Sequence, residues 1–288
     1  MTPHSLSPER AKGIGASEAF RAINMDYGLW AEKTGLAAPP DLSAVERVKW
    51  GNRLEKPILE AYEEESVREV VHNDTRDLLR HNEYLFMVAT IDAMQQEPNR
   101  PVGLVEVKTT SQFNLGLWEI EPPVRYQVQL QHQLAVTGMP WGTIVVLIGG
   151  QYMRWFDQER NEKFIAAMIA REIEFWDLVT AVVPPPPDGS VACTETLKRL
   201  YPDDSGEIVA LPREAAEWDE DLEVIKADLH NQAAAQRLLE NKIKAALGSA
   251  TVGVLPNGDS YTWKKQTSHH AAKEAYQSTF RVLRRKKG

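Results

Sequence analysis

The sequence predicts a mixed α/β fold, and three observations lead there. Long stretches place apolar residues at helical spacing, and between them lie short runs rich in branched and aromatic residues bounded by Asn, Asp, Pro and Gly. The composition is that of a globular chain, 43% hydrophobic and 26% charged over 288 residues. In order, Gly13-Ile14-Gly15 opens a short helix over residues 16–24, and residues 29–34 continue helically until Gly35 and Pro39-Pro40 break the pattern. Val48, Leu54, Ile58, Leu59 and Tyr62 predict a long helix over residues 45–67. Residues 67–71, 85–94 and 103–108 read as consecutive strands. Residues 125–137 carry Tyr126, Leu130, Leu134 and Thr137 on one side and glutamines on the others, as a helix does. Residues 142–149 form a buried strand with 152–156 as its neighbour, and 162–179 is a helix with Phe164, Met168, Ile169, Ile173 and Trp176 on its apolar face.

Pro184-Pro185-Pro186-Pro187-Asp188-Gly189 is semi-rigid and divides the chain into residues 1–183, a linker over 184–190 and an extension over 191–288. Within the extension, Trp218, Leu222, Ile225, Leu229, Leu239, Ile243 and Leu247 predict one long helix over residues 214–247, closed by Gly248. Residues 251–264 read as a hairpin around Asn257-Gly258, and Arg281, Arg284, Arg285, Lys286 and Lys287 make a basic end.

Lys and Arg number 33 against 41 Asp and Glu, a formal charge of −8, so no overall positive field holds nucleic acid. The single cysteine, Cys193, excludes a disulfide framework and a cysteine-based zinc site, and without a patterned partner it reads as an incidental thiol. His269-His270 likewise has no partner at metal spacing, and no Gly-x-x-x-x-Gly-Lys-Ser/Thr loop is present. The start of the chain lacks a basic region followed by an apolar run, and no stretch of about 18 apolar residues occurs, so a soluble cytoplasmic protein without a membrane partner is expected.

The most informative fragment is Asp92 followed by Glu106-Val107-Lys108, each on an expected strand. Side chains alternate along a strand, so Glu106 and Lys108 point to one face, and Asp92 can meet them from a neighbouring strand. Two hard oxygen ligands suit a magnesium ion that keeps some of its waters, and a nearby ammonium can orient a water, which is chemistry suited to phosphodiester hydrolysis. A water-facing strand would carry the same triplet. Leu104, Val105 and Val107 argue otherwise, because a carboxylate among them is costly without a cation. Glu55 on the long helix reads equally as a solvated acid. The run Gln127, Gln129, Gln131, Gln133 is denser than a surface helix requires, and Ser17 suits either an N-cap or a phosphate.

Arg10 with Gly13-Ile14-Gly15-Ala16-Ser17-Glu18, then Trp50-Gly51-Asn52-Arg53-Leu54-Glu55, Asp92, Glu106-Val107-Lys108-Thr109-Thr110, Gln129-Leu130-Gln131-His132 and Val136-Thr137-Gly138 together resemble the YqaJ-type viral recombinase family. These are relatives of lambda exonuclease within the PD-(D/E)XK nuclease superfamily, and the motifs fall in family order over residues 10–180. The resemblance implies a restriction-endonuclease-like core, with a mixed central sheet flanked by helices. It also implies Mg2+-dependent 5′→3′ degradation of one strand of linear double-stranded DNA, with Mn2+ able to substitute. Asp92, Glu106 and the carbonyl of Val107 match the metal ligands, Lys108 the water-activating lysine, and Glu55 the acid supporting a second metal. Arg10, Ser17 and Gln129 match the 5′-phosphate pocket, with Gln131 a neighbouring candidate. Trimeric rings threaded by DNA and a single-strand annealing partner are implied too. The residue before Asp92 is Ile91 instead of the superfamily's proline, and the extension has no counterpart in the compact lambda-type enzyme. An endonuclease or single-strand-specific nuclease on the same core, or a DNA-binding protein with a vestigial site, are the alternatives. Basic groups are expected along the DNA path despite the acidic total.

Overall fold

The computed structural model describes residues 12–268. Arg10, His269-His270 and the basic end lie outside the described residues. Chain order is β1 (Ile14–Gly15), a 3-10 turn (Ala16–Glu18), α1 (Ala19–Ile23), α2 (Tyr27–Lys33), α3 (Glu46–Ser66), β2 (Glu69–His72), β3 (Leu79–Arg80), β4 (Met87–Ala89), β5 (Ala93–Gln96) and β6 (Gly103–Thr110). A second 3-10 turn (Gln112–Trp118), α4 (Val124–Thr137), β7 (Trp141–Ile148), β8 (Tyr152–Glu159), α5 (Glu162–Ala181) and α6 (Val191–Leu200) follow. These belong to a unit that ends at Pro202; a second unit, from Asp203, holds α7 (Ala215–Leu247) and the antiparallel pair β9 (Val252–Val254) and β10 (Ser260–Thr262).

The main sheet has the order β2-β5-β6-β7-β8, with β6 and β7 parallel and the other neighbours antiparallel. A smaller sheet, β1-β4-β3, stands beside it. Helix ends follow their chemistry. The Asp26 carboxylate accepts from the Leu29 amide at 2.6 Å to start α2, Asn161 caps α5 in the same way, and Gly138 at φ 72° ends α4. On one face of the main sheet, Ile58, Leu59 and Tyr62 of α3 pack against Ala93, Val105 and Val145. On the other, Leu130 and Leu134 of α4 pack against Leu104, Ile144 and Val146. Burying each such side chain is worth about 1.5–3 kcal/mol, which fixes the register of β6 between two helices and therefore the face on which every second residue stands.

The structure departs from the sequence reading in three places. The apolar run 85–94 is not one strand: β4 pairs with β1 and β3, β5 pairs with β2 and β6, and residues 90–92 form the break between the two sheets. Asp92 therefore sits at a strand entrance and not along a strand. Second, α6 lies beyond the polyproline stretch yet belongs to the first unit. Ser190 caps it by accepting from the Cys193 amide at 3.0 Å, and Cys193, 2% exposed, packs among Leu29, Trp30 and Phe175. Third, Gly13-Ile14-Gly15 does more than open a helix: Ile14–Gly15 is strand β1, and Gly13 is required by its packing. The Ile14 amide donates to the Phe86 carbonyl at 2.6 Å, and a Cβ on Gly13 would fall 2.5 Å from that oxygen. No helix among the described residues is long and apolar enough to cross a membrane.

Candidate active site

Strand β6 builds the site by alternation. Leu104 faces α4 in the core, so Glu106 faces the same side two residues on, only 4% exposed, and Lys108 follows it. The Lys108 ammonium donates to Glu106 Oε1. Two amides descend from α4 onto the same carboxylate: Gln129 Nε2 donates to Oε1 at 2.5 Å, and Gln133 Nε2 donates to Oε2 at 2.6 Å and to the Thr90 carbonyl at 3.1 Å. Residues one helical turn apart share a face, so these two glutamines reach one target. His132, between them, is fully buried. Its Nδ1 lies 2.9 Å from Glu172 of α5 and its Nε2 3.2 Å from the Val88 carbonyl, which ties α4 to α5 and β4 behind the site.

Asp92 is held from two directions. Its Oδ2 accepts from the Val107 amide at 2.8 Å, while the Asn73 amide donates to its carbonyl at 3.0 Å and Asn73 Nδ2 to the Ile91 carbonyl at 2.9 Å. Burial, followed by the negative charges of Glu106 and Glu55, holds the Asp92 carboxyl well above the usual carboxylate range. For Lys108, burial works against the charge, but Glu106 and Asp92 outweigh it and the ammonium is held above its ordinary value. The Tyr126 ring lies 5.2 Å from Lys108 Nζ and is itself stacked on the buried Trp118. Glu55 enters from α3, where Arg76 Nη2 donates to its two oxygens at 2.7 and 2.9 Å. Arg76 adopts φ 50°, a left-handed conformation seldom taken by a side-chain-bearing residue.

These groups line one cleft of about 390 Å³, with Arg47, Gly51, Asn52 and Glu55 of α3 on one wall and residues 106–109 of β6 on the other. The lining holds Arg47, Arg76 and Lys108 against Glu55, Asp92 and Glu106, so its formal charges balance. The structure thus brings together Glu55, Asp92, Glu106, Val107, Lys108 and Gln129. Gln129 reaches the site as a donor to Glu106. Gln131 does not reach it: its Nε2 donates to the Glu159 carbonyl at 2.8 Å and its Oε1 accepts from the Asn161 amide at 2.9 Å, a brace for the turn between β8 and α5. The four-residue spacing that puts Gln129 and Gln133 on one face turns Gln131, two residues from each, away. Ser17 is exposed on the first 3-10 turn, and Gly15 occupies the N-cap position there. Gln133 and Arg76 were missed as site residues. The four-residue step from Gln129 signalled the first, and nothing local marked the second, which arrives from a loop.

Among the described residues no three or more His, Cys, Asp and Glu side chains are gathered to hold a metal ion. A cation here would take carboxylates, a backbone oxygen and waters, the donor set that magnesium accepts. The fit is supported by the carboxylates of Glu106 and Glu55 beside a half-buried Asp92, an arrangement that a divalent charge relieves.

A model of the YqaJ-like viral recombinase domain matches residues 7–140. The protein YqaJ of Bacillus subtilis (strain 168) is 33% identical over 271 residues, covering 91% of this chain and 83% of that protein. Among solved structures, an alkaline exonuclease (LHK-Exo) from Laribacter hongkongensis superposes with a TM-score of 0.51 at 19% identity, over 60% of this chain and 91% of that one. Its complex with dAMP gives 0.50 at 20% identity, over 66% and 93%. At these identities the likeness shows the PD-(D/E)XK-like fold, as the sequence reading expected. With a relative 33% identical and matched along most of both chains, and a family model over residues 7–140, this chain belongs to the YqaJ-like viral recombinase family.

Proposed function

We propose that the chain is a divalent-metal-dependent nuclease that degrades one strand of linear double-stranded DNA from its 5′ end, leaving 3′ single strands for recombination by annealing. The observation that carries this reading is the convergence of Asp92, Glu106 and Lys108 in a cleft closed by Glu55 of α3. Asp92, Glu106 and the Val107 carbonyl would hold Mg2+, or Mn2+ in its place, with Glu55 supporting a second ion. A cation held there would supply Lewis-acid polarisation of the scissile phosphate and lower the pKa of a nearby water. Lys108, as an ammonium anchored on Glu106, donates to that water or to a phosphate oxygen and offsets developing charge. Gln129 and Gln133 fix the Glu106 carboxylate in one orientation, so reorganisation during the reaction is small. Arg47 and Arg76 supply positive charge at the cleft wall for the phosphate backbone. Polarity would be set by a 5′-phosphate pocket in which Arg10 and Ser17 take part.

A linear duplex labelled at either the 5′ or the 3′ terminus of one strand tests the reading with Mg2+ present. The expected result is early release of the 5′ label, slower on 5′-hydroxyl than on 5′-phosphate ends. Early release of the 3′ label, or cleavage of closed circles at a similar rate, would contradict the polarity.

A further inference from the structure

Helix α7 runs for 33 residues without a buried residue. At 1.5 Å per residue it is about 50 Å long. Few helices keep that length in water without packing an apolar face. Its apolar side chains are exposed: Trp218 by 61%, Ile225 by 55%, Leu229 by 60% and Leu239 by 59%. They also follow a coiled-coil pattern. From Trp218 the steps to Leu222, Ile225, Leu229, Gln232, Gln236, Leu239 and Ile243 alternate between four and three residues, the a and d positions of a heptad, with glutamines in the two middle layers. The charge is divided along the axis: residues 217–228 carry six Asp and Glu against one Lys, and residues 237–244 carry Arg237, Lys242 and Lys244 against Glu240.

We propose that α7 is a self-association surface that pairs antiparallel with α7 of a second copy of this chain, about a two-fold axis at Ala234. Only one antiparallel register sets every a position opposite a d position and superposes the polar layers. It places Leu229 against Leu239 of the second copy, Ile225 against Ile243, and Gln232 against Gln236, so the buried amides find each other instead of an apolar side chain. In the same register the flanking positions set Lys226 beside Glu240 of the second copy and Asp228 beside Lys242, while Ala233 and Ala235 meet their own counterparts at the axis and let the backbones approach. A parallel pair would instead place the two acidic halves side by side, and like charges across such a seam are destabilising. The Lys226–Glu223 and Lys244–Glu240 pairs seen within the helix are exposed and weak, so they do not oppose rearrangement. The contact is separate from the nuclease reading, and stands or falls without it.

The full-length protein tests this by light-scattering mass and by oxidative crosslinking. At micromolar concentration the wild type is expected to have twice the mass of the Leu229→Glu/Leu239→Glu variant, whose substitutions touch no buried residue. Ala233→Cys is expected to crosslink copies in pairs under mild oxidation, since the antiparallel axis brings residue 233 onto itself, while the wild type, whose Cys193 is buried, does not. Equal mass for wild type and the double variant, whether α7 then stays solvated or packs on its own chain, would overturn the proposal. So would crosslinking of Leu229→Cys to itself in preference to Ala233→Cys, the result of a parallel pair.

Discussion

Two polar clusters are built into the same five-stranded sheet, at opposite ends of β6, and they titrate in opposite directions. Near the start of β6, Tyr62 Oη donates to Gln95 Oε1 at 2.7 Å, and Gln95 Nε2 donates to the Leu104 carbonyl and Thr143 Oγ1, both at 2.7 Å. Thr143 donates in turn to Asp157, which Arg68 grips with two bonds of 2.8 and 2.7 Å. Burial pushes the Asp157 carboxyl up, but Arg68, Thr143 and Arg100 outweigh it and hold it below the usual range. At the far end Asp92 is pushed the other way by burial, Glu106 and Glu55. Every donor in the first cluster meets an acceptor and its charges are opposite, so it stabilises the fold. The second sets the carboxylates of Glu106 and Glu55 beside Asp92, and although Lys108 and Arg76 pair with those two, under the proposed function a cation would relieve the repulsion that remains at Asp92. Burial of polar groups is common to both; the sign of the shift separates a structural network from a binding site.

The largest expected effect comes from breaking the site end. Asp92→Asn should lower metal-dependent digestion by roughly 10³-fold while raising the melting temperature in EDTA, because it removes a charge that the metal-free fold opposes. Magnesium should raise the melting temperature of the wild type and leave that of the variant nearly unchanged. Equal magnesium stabilisation of both would detach Asp92 from the cation.

A smaller loss follows from Gln133→Leu. Freeing one Glu106 oxygen from its donor should reduce magnesium affinity by about 10–100-fold, read by calorimetric titration, and should lower the melting temperature in EDTA, because that oxygen and the Thr90 carbonyl are left without their donor. Unchanged affinity would reduce Gln133 to packing.

At the structural end, Asp157→Asn should leave digestion intact and cost about 1–3 kcal/mol of stability, a range lowered because the carboxylate is one-third exposed. The pH dependences then have opposite signs. Asp157 is depressed in the fold, so its stabilisation is complete above the ordinary carboxylate range and is lost as pH falls below about 4. Asp92 is raised, so it destabilises the metal-free fold at neutral pH, and the advantage of Asp92→Asn should shrink as acidification protonates the wild-type group. Melting curves in EDTA from pH 3 to 8 measure both. Differences of the same sign, or two that close over the same pH range instead of Asp92's at the higher pH, would erase the contrast.

Much of this was legible in the sequence where a period or a register carried the information. Alternation placed Glu106 and Lys108 on one face, and helical spacing gave α3, α4, α5 and α7 nearly to their ends. What escaped depends on long-range pairing. The run 85–94 is apolar but for Thr90 and Asp92, and its two halves serve different cores, so two polar residues were too little to distinguish a break from the exposed positions of one strand. Helix α6 is short and polar on three sides, and its burial comes from α2 and α5. Arg76 reaches Glu55 from a loop in a left-handed conformation, and Gln131 was grouped with Gln129 by proximity in sequence although two residues along a helix point apart.

The central claim, that the cleft of Asp92, Glu106 and Lys108 is a metal-dependent nuclease site, is tested most directly by digestion of a 5′-phosphorylated linear duplex with wild-type protein and with Lys108→Ala, each in Mg2+ and in EDTA. The account predicts loss of DNA only with wild type in Mg2+. Digestion that persists in EDTA, or that Lys108→Ala performs as fast as wild type, would contradict it.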